Sequence, residues 1–237
     1  MTILRTLTIK EIRALFASPI AYAVVAVFLL LNGYSFVVTL ALSKQATLIH
    51  IFFQSAMQLV LLVPLITMRL FAEERRSGTI ESLLTAPVTA FAVVLGKYLA
   101  VLSTFALIWA PTSLYVVIVS KTGSVDAGTV GASYLGLLGV GASYLAIGTL
   151  MSAMTRSQLV ALLLTVFVVF GLFVLGIGEY LLEDGWLREL SAYLSMGGQM
   201  DDFSRGIVDS RHLVLDLSIV ALCLFLCTRV VESWSAE

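Results

Sequence analysis

Long apolar runs alternate with short polar stretches along the whole chain. Six runs stand out, at about 20–42, 48–70, 89–119, 129–154, 159–177 and 212–231. Each is long enough, at 1.5 Å of rise per helical residue, to cross a hydrocarbon layer about 30 Å thick. The apolar character is continuous. A spanning β-barrel would instead alternate apolar and polar positions in short segments, so the pattern predicts helices. Pro19 opens the first run, where its missing N–H is harmless, and Pro64 removes one helical hydrogen bond inside the second. The fourth run is strewn with small residues: Gly128, Ala132 and Gly136 are spaced by four, as are Gly139 and Ser143. Such spacing admits a close neighbouring backbone. The expected fold class is an all-α polytopic membrane protein of six transmembrane helices, forming one domain over residues 1–237.

Three polar stretches have their own periodicity. In residues 1–17, Leu4, Leu7, Ile12, Leu15 and Phe16 leave Arg5, Lys10 and Arg13 largely to another side. This predicts an amphipathic helix on the membrane surface, its basic residues toward anionic lipid. The rival, the start of a signal peptide, is disfavoured because the next run is too long and has no small-residue cleavage pattern. In residues 73–87, Glu73 and Glu74 precede Arg75 and Arg76, and Ser77 is expected to cap a new helix. Ile80, Leu83 and Leu84 then share one face, Glu81 lies near the favourable N-terminal end, and Pro87 stops the helix. Two turns alone in water would melt. This helix therefore packs on something, either the bilayer surface or a groove in a partner. Residues 178–210 are too polar to cross and too apolar for a plain loop, which predicts short amphipathic or re-entrant helices.

Composition supports the same class. The chain is 59% hydrophobic and only 12% charged, with mean hydropathy +1.02, against about 25% charged residues in soluble domains. A net charge of −1 points to no nucleic-acid partner. Cys223 and Cys227, four apart in the last run, read as small hydrophobes. Basic residues set the expected orientation: Arg5, Lys10, Arg13, Arg69, Arg75, Arg76, Lys97, Arg156 and Arg229 fall on the side of the termini. Lys44, Lys121, Arg188, Arg205 and Arg211 fall on the other. This bias places both termini in the cytoplasm.

Little catalytic chemistry is visible. A phosphate-binding loop needs G-x-x-x-x-G-K-[ST]. The only Gly-Lys pair is Gly96–Lys97, with Tyr98 after it and Phe91 where the first glycine should be. The two histidines, His50 and His212, lie at membrane edges and complete no hydrolytic triad. Asp201, Asp202, Arg205 and Asp209 form an external cluster without metal-ligand spacing. A turn in which Asp201 or Asp202 starts a short helix and Arg205 pairs back accounts for it. Asp216, one turn inside the last run, is costly in hydrocarbon and is expected to pair with His212 at i−4.

The words KEIRALFASPIAY, RLFAEERRSGTIESLLTAPV, VVLGKYLA and MDDFSRGIVDSRHLV resemble the permease subunit of ABC transporters in the type-2 exporter superfamily, closest to the gliding-motility-associated permease group. The resemblance covers essentially the whole chain. It implies two permease copies, or two related ones, over two separate cytoplasmic ATPase subunits that carry ATP and Mg. This chain itself would hold no cofactor and no metal. It also implies a bacterial inner-membrane location and an accessory protein with an extracytoplasmic domain. By resemblance, Arg5, Lys10, Glu11 and Arg13 belong to an interface helix. Glu73, Glu74, Arg75, Arg76, Ser77, Ile80, Glu81, Leu83 and Leu84 belong to the coupling segment that meets the ATPase, and 178–210 to external re-entrant helices. Spans one, two and five would line a dimer seam, with Asn32, Tyr34, Gln54 and Gln58 as its polar candidates. Two functions remain open: export of an unidentified apolar or amphipathic substrate, or transmission of ATPase-driven motion to an extracytoplasmic partner without transport. A secondary transporter fits less well, because midplane charge and broken helices are not evident.

Overall fold

The computed structural model of the chain describes residues 2–43, 49–78, 88–122, 126–181 and 183–234. It is an all-α bundle with six candidate membrane spans. The helices are α1 (Thr2–Ala17), α2 (Pro19–Ser43), α3 (Ile49–Thr67), α4 (Ala72–Ser77), α5 (Ala90–Trp109), α6 (Ser113–Thr122), α7 (Ala127–Met154), α8 (Gln158–Leu181), α9 (Trp186–Leu194), α10 (Met196–Ser204) and α11 (Ser210–Trp234).

The fourth span, α7, is the post around which the others stand. It packs against α3, α5, α8, α10 and α11, and 72% of its span is buried, against 17% in the first span and 22% in the fifth. Its glycines explain how one helix accepts so many neighbours. Gly136 faces Phe203 of α10, Gly139 faces Asp216 of α11, Gly141 faces Phe105 of α5 and Gly148 faces Thr67 of α3. A Cβ at Gly136 would lie 2.5 Å from Phe203 Cδ2, so the bare backbone is what lets α10 close onto the span.

Three local features depart from the sequence expectation. The third apolar run is not one helix. A 3-10 turn at Ala110–Thr112 separates α5 from α6, with Pro111 in it and Thr112 Oγ1 donating to the Trp109 carbonyl at 2.6 Å. Ser77 does not open a helix: it is the last residue of α4, which Gly78 ends at φ 74°. Glu73 and Glu74 occupy the first turn of α4, and Arg75 and Arg76 the last. That order suits the helix dipole and explains why the helix forms here. The rest of the expected coupling helix, with Ile80, Glu81, Leu83 and Leu84, lies outside the described residues. On the opposite side of the bundle, Asp201 and Asp202 sit late in α10 rather than at its start. The cap is Ser195, whose Oγ accepts from Gly198 N at 3.1 Å; Ser195 bridges α9 and α10 and already satisfies the helix end.

The first helix lies against α5, where a Cβ at Gly96 would be 3.2 Å from Leu7 Cβ. Arg5, Lys10 and Arg13 are exposed, and Glu11 is turned inward.

Candidate functional site

Lys97 sits on α5, within the apolar third run, and is 2% exposed. An isolated buried ammonium would cost several kcal/mol, so its surroundings must answer the charge. Two carboxylates do. Lys97 Nζ lies 3.1 Å from Glu11 Oε2 on α1 and 2.8 Å from Glu74 Oε1 on α4. The Phe71 ring lies beneath it, 5.2 Å from nitrogen to centroid. One lysine thus joins the first helix, a span and the short helix after the second span.

The same short helix is held from two further sides. Its first N–H groups have no helical partners. Ser152 on α7 supplies one: its Oγ accepts from Phe71 N at 3.1 Å and Ala72 N at 3.3 Å, and donates to the Met68 carbonyl at 3.2 Å. Arg75 donates from Nη1 to the Ala153 carbonyl at 3.3 Å and lies over the Trp234 ring at 4.6 Å. Phe71 meets Trp234 edge to face at 5.9 Å. Arg69 donates to Ser18 Oγ at 2.8 Å, tying the end of the second span to the start of the first. Phe71–Ser77 is therefore fixed to α1, α5, α7 and α11 at once. Of the sequence candidates, Glu11, Glu74 and Arg75 are drawn into this hub, whereas Glu73, Arg76 and Ser77 face outward. Lys97, Phe71, Ser152 and Trp234 were not among the candidates. The available signal was Lys97 itself, a lone cation inside an apolar run.

At the other end of the bundle the arrangement is different. Asp216 is 7% exposed. Ser143 Oγ donates to its Oδ1 at 2.7 Å and Gln199 Nε2 to its Oδ2 at 2.7 Å. His212 does not pair with Asp216, contrary to the expectation from their spacing. His212 Nε2 lies 2.9 Å from Asp202. Helix α10 runs beside this turn of α11 and offers Asp202 to the histidine and Gln199 to the aspartate, which takes each away from the other. The cluster of Asp201, Asp202, Arg205 and Asp209 closes on basic partners: Asp201 with Arg205 at 2.7 Å, as its i,i+4 spacing implied, and Asp209 with Arg211 at 3.9 Å. Asp126 caps α7, accepting from Gly128 N at 3.1 Å and from Thr129 Oγ1 at 2.7 Å. The Thr129 hydroxyl and the backbone N–H groups of Gly128 and Thr129 hold its carboxyl below the usual carboxylate range.

The polar candidates of the first two spans separate. Asn32 is buried; its Nδ2 donates to Gln58 Oε1 at 2.5 Å, and its Oδ1 accepts from Ser55 Oγ at 2.5 Å. This pins α2 to α3 inside one chain. Tyr34 and Gln54 are exposed.

Six candidate spans with a short helix clamped between them make this an all-α membrane-spanning bundle. Residues 40–197 match the family model described as ABC-2 family transporter protein. The chain belongs to that family. No curated protein matches it.

Proposed function

We propose that this chain is the transmembrane subunit of an ATP-driven exporter in the bacterial inner membrane, powered by separate cytoplasmic ATPase subunits and assembled as a pair of permeases. Both termini and the Lys97 hub would face the cytoplasm, in keeping with the excess of basic residues at that end. The observation that carries the reading is the attachment of Phe71–Ser77 to four other helices. A push delivered to the coupling segment would pass from Phe71–Ser77 through Lys97 to α1 and α5, through Ser152 to α7, and through Trp234 to α11. Family membership supports the ATPase partner. The gliding-motility-like subtype and the accessory extracytoplasmic protein rest on the sequence resemblance.

The substrate class follows from where polarity is missing. Asn32 turns into its own chain, while Leu30, Leu31, Tyr34 and Val37 of α2 are exposed. A path along that face suits an apolar or amphipathic molecule. The second reading, transmission of motion without transport, draws on Asp216, which latches external helix α10 to α7 and α11 so that movement of these spans carries α10 with it.

Leu83→Asp tests the central part. It places a charge on the apolar face expected to enter the ATPase, and should abolish coupled ATP hydrolysis in the purified complex while leaving the permease folded and inserted. Unchanged hydrolysis and unchanged copurification of the ATPase would overturn the docking role.

A further inference from the structure

Asp216 is buried where α7, α10 and α11 meet, and among the described residues no lysine or arginine pairs with it. Its carboxyl rests on the bare backbone of α7, where a Cβ at Gly139 would lie 2.5 Å from Oδ2. The ionisable groups that face it are committed elsewhere. From α5, Tyr98 donates its hydroxyl proton to the Ala142 carbonyl at 3.2 Å. From α7, Tyr144 donates to Met196 Sδ at 3.2 Å. On its own helix, Cys223 is a buried thiol. His212, the one cation-former acting on it among the described residues, lies 2.9 Å from Asp202 of α10 instead. An ionised Asp216 would therefore be met by two neutral donors, Ser143 and Gln199. A buried carboxylate without a paired cation is costly enough that such a group takes up a proton instead.

The hydrogen bonds leave a place for that proton. Ser143 has one hydroxyl hydrogen and two close acceptors, the Gly139 carbonyl at 3.1 Å and Asp216 Oδ1 at 2.7 Å. An ionised Asp216 claims the hydrogen and leaves Gly139 without it. With a proton on Oδ1 the 2.7 Å contact runs the other way, Oδ1–H donating to Ser143 Oγ, at a usual length for an O–H···O bond. Ser143 then keeps its bond to the carbonyl one turn back, and Gln199 Nε2 donates to the carbonyl oxygen Oδ2 at 2.7 Å. Every hydrogen has an acceptor and no charge is buried. We infer that Asp216 is a proton-binding site, a carboxylic acid that keeps its proton at neutral pH and seats α10 through Gln199. Lifting α10 would take Gln199 away and admit water, and the proton would pass to that water. Movement of α10 is thereby linked to proton release. The site needs neither the ATPase nor a transported substrate, so its failure would leave the proposed function standing.

The test is infrared spectroscopy of the purified full chain in lipid nanodiscs at neutral pH, reading the C=O stretch of protonated carboxyl groups. The parent should show such a band, and Asp216→Asn should lose it. Gln199→Leu should keep the band but move it to higher frequency, because the C=O oxygen loses its donor. Where Asp216→Asn does not fold, carbon-13 labelling of aspartate side chains assigns the band in the parent chain itself by shifting it to lower frequency, and Gln199→Leu ties it to this position. A spectrum without a protonated carboxyl band at neutral pH, a band that survives Asp216→Asn or ignores the aspartate label, or a band that Gln199→Leu leaves unmoved would each overturn the proposal.

Discussion

The two ends of the bundle solve one problem with different chemistry. Each must fasten a short helix to the membrane spans. At the end bearing the termini the fastener is ionic: Lys97 lies between Glu11 and Glu74, while Ser152 holds the backbone of α4. At the opposite end it is a carboxylate held by neutral donors, Asp216 between Ser143 and Gln199. Opposite charges at close range reach between helices and oppose separation strongly, whereas a carboxylate held only by neutral donors yields at lower cost. The ionic end is where the proposed function puts the load. Under the same proposal the opposite end is where α10 has to stay seated against a moving span.

The largest expected effect lies at the ionic end. Lys97→Met leaves two carboxylates facing each other without a cation and should cost about 3–5 kcal/mol, read as a lower melting temperature in detergent. Adding Glu11→Gln and Glu74→Gln should restore most of that loss, because the uncompensated charges are then gone. A single Lys97→Met variant as stable as the parent would show that the clamp carries no load. At the neutral end, Asp216→Ala strands Ser143 and Gln199 and should cost about 1–3 kcal/mol, with Asp216→Asn costing less. If Asp216→Ala proved the more damaging of the two, the contrast between the ends would be reversed.

The post itself offers a matched pair. Gly136→Ala forces a methyl against Phe203 and should cost about 1–3 kcal/mol. Gly131, with nothing within 4 Å of a Cβ, should accept alanine with no loss, or with a gain of up to about 1 kcal/mol from helix propensity. Equal melting temperatures for the two variants would mean that α10 does not close on α7 at Gly136. The smallest effect concerns pH. The Asp126 carboxyl is held below its unfolded value. Its contribution is therefore present above the unfolded carboxylate pKa and is lost as pH falls through the lower folded one. Melting curves of the parent should fall slightly more on acidification than those of Asp126→Asn; identical pH profiles would remove the cap from the account.

The spans were legible because hydrocarbon imposes length and continuity on anything that crosses it, and the six runs meet both demands. Pro111 was visible too. Its consequence was not, because the 3-10 turn also depends on Thr112 folding back onto Trp109. Asp216 stood out by its cost, but its partner did not. Its spacing from His212 is a fact about one helix, and Gln199 and Asp202 arrive from another. Lys97 counts in the sequence as one of the orienting charges, and long stems usually let such a head group reach water. Nothing local in the sequence reveals that its ammonium turns inward, since its carboxylates come from α1 and from α4, the latter 23 residues away. Ser152 looked like one more small residue in a helix full of them, and its role appears only once two N–H groups from α4 arrive beside it.

The most direct test of the central claim is to purify the native complex in mild detergent, identify every chain that comes with it and measure its ATP hydrolysis. The expected result is an ATPase subunit that copurifies and hydrolyses ATP, and that is lost or uncoupled on Leu83→Asp while the permease remains folded. A stable, folded permease recovered without any ATPase from native membranes would contradict the claim that Phe71–Ser77 exists to pass an ATP-driven push into the bundle.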